Sequence, residues 1–274
     1  MDAKTVRLIE SWLYGRPRST QKTYLSAIER ALKWMGKPFE RVDLLDLQAY
    51  QSELFHHRRL RTNTVVSQMR AIASFFAFAV EEGYIEVNPC RNLRVPKRTQ
   101  AINERILSKP QIQAIITSAT TARDEALLAF LYGTGCRVSE AVGVLWKDFS
   151  ELPDGRALVR LLGKGDKWRS VHVPKVVWER IAALRGDAAD DAKVFDLKVR
   201  RAQQVVKDAV DRAKAPKDAS AHWFRHSNAS HAIEAGAPLP VVRDSLGHSN
   251  ISVTNVYAHS NPEQSSSDFL NLDL

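Results

Sequence analysis

The 274-residue chain is 44% hydrophobic, so it can bury a normal globular core and has length for two ordinary domains. Its formal charge of +9 and pI of about 9.6 favour a polyanionic partner. Cys90 and Cys136 show no CxxC spacing, which argues against a disulfide framework. The longest apolar stretch, Ala71 to Val80, is too short to span a bilayer and is broken by Ser74, and the first residues lack a signal-peptide pattern. The expectation is a cytoplasmic protein with no membrane partner.

Charge is uneven along the chain. Residues 1–100 carry 17 Lys and Arg against 10 Asp and Glu, and the remainder 23 against 21. The first third therefore holds most of the cationic excess, as a backbone-gripping region would. Residues 1–87 read as all helix. Ser19 and Thr20 are candidate caps for a helix ending near Met35, before Gly36 and Pro38. Tyr24, Ala27, Ile28, Ala31, Leu32 and Met35 give it one apolar face. A second long helix is expected from Asn63 to Gly83, with Val65, Met69, Ile72, Phe75, Phe76 and Ala79 inward. The intervening run His56-His57-Arg58-Arg59-Leu60-Arg61 is either a phosphate-contacting loop or a solvated connection. Asn88 through Arg98 has two prolines and four basic residues, including Arg94, Lys97 and Arg98. It reads as an extended linker able to lie along a duplex.

The pattern becomes globular again from Ile106. Ser108-Lys109-Pro110-Gln111 marks a helix start. A helix is expected from Ala122 to Tyr132, stopping at Gly133-Thr134-Gly135, and a short one from Arg137 to Leu145. Residues 157–162 and 168–173 read as paired strands about a Gly163–Lys167 turn. Helices follow near 175–185, 198–213, 222–235 and 239–246. The predicted class is mainly α with a small antiparallel sheet (α+β).

Six residues of this second region form a coherent phosphate-handling set: Arg137, Lys164, His222, Arg225, His248 and Tyr257. Arg137 follows two glycines at a helix start, where free N–H groups favour an anion, and Glu140 lies within reach to orient it. Lys164, or its neighbour Lys167, sits in a turn that can swing an ammonium into a groove. His222 and Arg225 share a helix face, pairing an imidazole with a guanidinium fork. Gly247 suits a left-handed helix end, which projects His248 beyond it. Tyr257 follows nine residues later, and surrounding positive charge lowers the cost of forming its phenolate. His222 and His226 also have a zinc-binding spacing, but no carboxylate or cysteine ligand accompanies them and Arg225 would repel the metal.

With these motifs in order, GTGCRVSE at 133–140, LGKGDKWR at 162–169, HWFRH at 222–226 and LGHSNISVTNVYAH at 246–259, the chain resembles the tyrosine recombinase (phage integrase) family. It is closest in style to the compact Xer-like enzymes. The resemblance implies a helical, SAM-like DNA-binding domain over 1–95, a basic linker to about 104, and a catalytic domain over 105–274. It further implies that Arg137 and Arg225 hold the scissile phosphate and that Lys164 protonates the departing 5′ oxygen. His222 would assist proton transfer, His248 would donate to the phosphate, and Tyr257 would attack to give a 3′-phosphotyrosyl link. Glu140 would support the site. Trp223-Phe224 and Ser227-Asn228 depart from the usual surroundings of the second arginine.

Such chemistry needs no cofactor: fixed cations stabilise the transition-state charge, and the covalent link stores the bond energy without ATP. The implied partner is a double-stranded recombination site bound by a tetramer, with any partner recombinase or accessory protein left open. The apolar tail, Phe269 to Leu274, docks either on a neighbouring subunit or on its own core. Two alternatives share parts of this logic: a type IB topoisomerase-like relaxing enzyme, and a DNA-binding protein without catalysis.

Overall fold

The computed structural model describes residues 1–97, 105–163 and 166–247. It divides into two units, Met1–Gln100 and Ala101–Leu274. Among the described residues the elements are helical apart from one three-stranded antiparallel sheet, the class expected from the sequence. No described helix is long and apolar enough to cross a membrane.

The first unit is a helical bundle of α1 (Ala3–Leu13), α2 (Arg18–Met35), α3 (Leu44–Ser52) and α4 (Thr62–Glu81). Asp2 caps α1 by accepting from the Thr5 N–H at 2.7 Å, and the Asp43 and Asp46 carboxylates cap α3 reciprocally. The expected stripe of α4 is fully buried, and Phe75 meets Trp12 edge-on with ring centres 5.4 Å apart. Ser74, the interruption in the apolar run, accepts the Trp12 indole N–H at 3.2 Å.

Three local expectations need correction here. Helix α2 begins at Arg18, so Ser19 and Thr20 lie inside it; Pro17 takes the N-cap position with its φ already at −55°. The basic run begins in a helix: Glu53–His57 form a π-helical turn continuing α3 and take in His56 and His57, and Arg58 Nε donates to Glu53 at 3.1 Å. The apolar residues of the supposed linker explain the third difference. Cys90, Leu93 and Val95 pack on the core of the first unit, so the stretch through Val95 is docked chain rather than free linker.

The second unit begins its core with Leu107 and α5 (Lys109–Thr117), which has the expected start: Ser108 and Gln111 form a capping box. Helix α6 (Ala122–Thr134) runs through Gly133 and ends at Gly135 in the left-handed conformation. Helix α7 (Val138–Ala141) is a single turn and stops well before Leu145. Gly143 and Val144 disfavour a helix, and the carbonyl of the buried Val144 instead accepts from the Val194 N–H at 3.2 Å. A short strand β1 (Phe149–Glu151), not foreseen, pairs with β2 (Ala157–Leu162), which pairs with β3 (Trp168–Val173). Val159 and Leu161 on β2 and Val171 and Val173 on β3 bury one sheet face. Helices α8 (Lys175–Ala182), α9 (Val199–Arg212), α10 (Ala221–Glu234) and α11 (Leu239–Leu246) complete the unit.

Candidate active site

Arg137 lies just ahead of α7, where the extended chain leaving Gly135 becomes helical. Glu140, one turn on, is buried and accepts twice from this residue. Its Oε2 takes the Arg137 backbone N–H at 2.8 Å, and its Oε1 takes the guanidinium Nη1 at 2.8 Å. A second guanidinium, Arg169 on β3, donates Nη1 to Oε1 at 3.1 Å and Nη2 to Oε2 at 2.7 Å. Burial alone would raise the Glu140 pKa; the bonds from Arg169 and Arg137 outweigh it and hold the carboxyl below its ordinary range. Arg137 remains a third exposed while Glu140 is enclosed, so the arginine can present donors outward.

Arg225, on α10, is buried. It spends Nη1 on the Gly135 carbonyl at 2.7 Å and Nη2 on the Leu246 carbonyl at 2.6 Å. It therefore ties the end of α6 to the end of α11. Burial, followed by repulsion from Arg137, lowers its pKa to about 10, still protonated near neutrality. The two guanidiniums are thus close enough to repel one another. His222, a turn before Arg225, is exposed on one side. Burial on the other, then the charges of Arg225, Arg137 and Arg105, depress its pKa below the usual imidazole value. A neutral imidazole is the form that accepts a proton.

Two glycines let these elements close. Gly135 has φ +61°, and a Cβ there would lie 2.7 Å from both Asn228 Oδ1 and Leu246 Cδ2. Gly247, at φ +65°, ends α11 as expected, and a Cβ there would approach Arg169 Cδ to 3.1 Å. Beside the arginines lies a cleft of about 420 Å³ lined by Arg137, Ser139, Gln203, Lys207, Lys217 and His222. Among the described residues neither lysine has an ion-pair partner.

The structure thus brings Arg137, Glu140, His222 and Arg225 together. Lys164, His248 and Tyr257 lie outside the described residues, as does Arg98. Arg58, Arg59, Arg61, Arg94 and Lys97 are exposed in the first unit. Sequence reasoning missed Arg169, Lys207 and Lys217. A signal for Arg169 existed: on an alternating strand it shares the inward parity of Val171 and Val173, an unusual place for a charge. Lys207 repeats at helical spacing after Val199 and Gln203, on the one face of α9 that borders the cleft.

Comparison with known proteins places the chain in a family. Residues 105–264 match the phage integrase family, and residues 12–86 match the phage integrase N-terminal SAM-like domain. The chain belongs to the phage integrase family. It is 32% identical over 265 residues to the tyrosine recombinase XerD of Chlorobaculum tepidum, covering 88% of this chain and 86% of that one. It is 29% identical over 269 residues to the tyrosine recombinase XerC of Mycobacterium tuberculosis, covering 89% of each. The fold is shared with the Tn1549 transposon integrase in complex with circular intermediate DNA, at a TM-score of 0.74 and 17% identity, over 96% of this chain and 98% of that one. It is also shared with XerH bound to its difH substrate, at 0.72 and 19%, over 88% and 77%.

Proposed function

We propose that this integrase-family protein is a site-specific recombinase that cuts and rejoins DNA through a 3′-phosphotyrosine intermediate, with Tyr257 as nucleophile. The carrying observation is the convergence of Arg137 and Arg225 on one site, each fixed by hydrogen bonds to protein acceptors. Two guanidiniums held in advance suit the non-bridging oxygens of a phosphodiester, whose charge grows in the transition state. His222, neutral and exposed beside them, is placed to move a proton. Lys164 serves as the acid for the leaving 5′ oxygen, and His248 donates to the phosphate. Glu140 orients Arg137.

The cleft beside Arg137 extends the cationic surface through Lys207 and Lys217, suiting the backbone next to the cut. Residues 1–95 act as the DNA-gripping domain and residues 105–274 as the catalytic one. The partner is a duplex recombination site. Because exchange joins two duplexes, a tetramer on DNA follows; a lambda integrase tetramer bound to a Holliday junction shares this fold at a TM-score of 0.72 and 14% identity. The protein acts in the cytoplasm, where its DNA substrate lies.

The test uses a nicked suicide duplex carrying the target site. The protein should form a covalent adduct that survives denaturation, and Tyr257→Phe should bind the same DNA with no adduct. An adduct of undiminished yield in the Phe variant would overturn the nucleophile assignment.

A further inference from the structure

Glu140 poses an electrostatic problem that Arg169 resolves. A carboxylate bound to Arg137 alone would cancel the charge that Arg137 must offer to a phosphate. In the structure both Glu140 oxygens are shared by two guanidiniums. The trio of Arg137, Glu140 and Arg169 therefore keeps one net positive charge. Exposure decides where that charge is offered: the Arg169 side chain is 12% exposed and Glu140 3%, against 33% for Arg137. The interior arginine neutralises the carboxylate, and the outer one stays available.

Arg169 has a further bond that fixes its own position. Its Nε donates to the Ser245 carbonyl at 2.8 Å, in the last turn of α11, and its stem packs over Gly247. Each of its three nitrogens thus makes a bond inside the protein, and the side chain is largely enclosed. We infer that Arg169 is a positioning residue that balances the Glu140 charge and thereby keeps the Arg137 guanidinium oriented and electropositive toward the scissile phosphate. The inference rests on the recombinase reading above.

The test compares single-turnover cleavage of a pre-bound suicide duplex by the full-length protein and its Arg169→Gln, Arg169→Lys and Arg169→Gln/Glu140→Gln variants. DNA affinity and thermal midpoint are measured alongside. Arg169→Gln removes one charge from the trio and should slow cleavage by about 100-fold, the scale of losing a preorganised electrostatic contact. Arg169→Lys keeps the charge but loses the fork, and should lie between Arg169→Gln and wild type. The double variant restores the net charge and should cleave about tenfold faster than Arg169→Gln, equivalent to one charge-assisted contact regained. A purely structural role predicts the reverse, since the double variant loses more hydrogen bonds. The inference is overturned if the double variant is no faster than Arg169→Gln. It is equally overturned if the Arg169→Gln loss vanishes once rates are normalised to folded, bound protein. Absence of an adduct from the unsubstituted protein would instead sink the recombinase reading itself.

Discussion

His226 shows at the residue scale what it costs to pack an imidazole beside a cationic site. Burial, then the neighbouring His222 and the charges of Arg105 and Arg225, lower its pKa to about 4. In the unfolded chain an ordinary histidine titrates near 6.5. Between these values the unfolded state binds the extra proton, so stability rises with pH across that window. The contribution is complete above 6.5 and is lost as pH falls through about 4. Thermal midpoints of the native protein should therefore drop between pH 6.5 and 4, and His226→Gln should flatten that slope. An equal slope in both proteins would remove His226 as its source. Glu140, also held below its usual value, acts in the same direction but only below the ordinary carboxylate range, so measurements above pH 5 exclude it. His222 and His231, both depressed by burial, share the window, and the difference between the native protein and His226→Gln is the part due to His226.

Elements meet in this site through helix ends: α6 at Gly135, α11 at Leu246 and Gly247, and the start of α7 at Arg137. Gly135→Ala would force a side chain into a left-handed backbone and against Asn228 and Leu246, both at 2.7 Å. Strain of this kind costs on the order of 1–3 kcal/mol, and relief requires α6 to move away from α10 and α11. The expected result is a lower unfolding midpoint together with slower cleavage by the fraction that stays folded. A midpoint loss with an unchanged normalised rate would separate this junction from the chemistry. The same elements show what the sequence could disclose. The strands 157–162 and 168–173 were readable because Val159, Leu161, Val171 and Val173 alternate with exposed neighbours. The grouping of Arg137 with His222 and Arg225 was readable because the motifs at 133–140 and 222–226 together resemble the tyrosine recombinase family. Strand β1 escaped because three residues hold too little alternation to register. The early end of α7 depends on Val144 finding Val194, a partner fifty residues away. Arg169 ends the motif at 162–169, yet its purpose is visible only once Glu140 and Ser245 stand on either side of it.

Charge is distributed along the chain so that the first unit carries most of the cationic excess, while the second ties Arg137 and Arg169 to the buried Glu140. If the first unit supplies the grip on DNA, its basic run should reveal itself through counterion release rather than through the cleavage step. The run is not uniform. Arg58 is paired with Glu53 at 3.1 Å, which blunts its contribution, whereas Arg59 is exposed with no ion pair among the described residues. Arg59 also adopts φ +49°, an uncommon conformation just after the π-helical turn. Each phosphate contact contributes about 0.9 to the slope of log affinity against log salt. Arg59→Gln should lower that slope by about one unit, and Arg58→Gln by clearly less, because a pre-paired cation releases fewer ions. Cleavage at saturating protein should be the same in both variants as in the parent. The deciding measurement is affinity for the duplex across a salt series: an unchanged slope in Arg59→Gln would make the run a solvated connection, and a reduced cleavage rate would tie it to the chemistry instead of the grip.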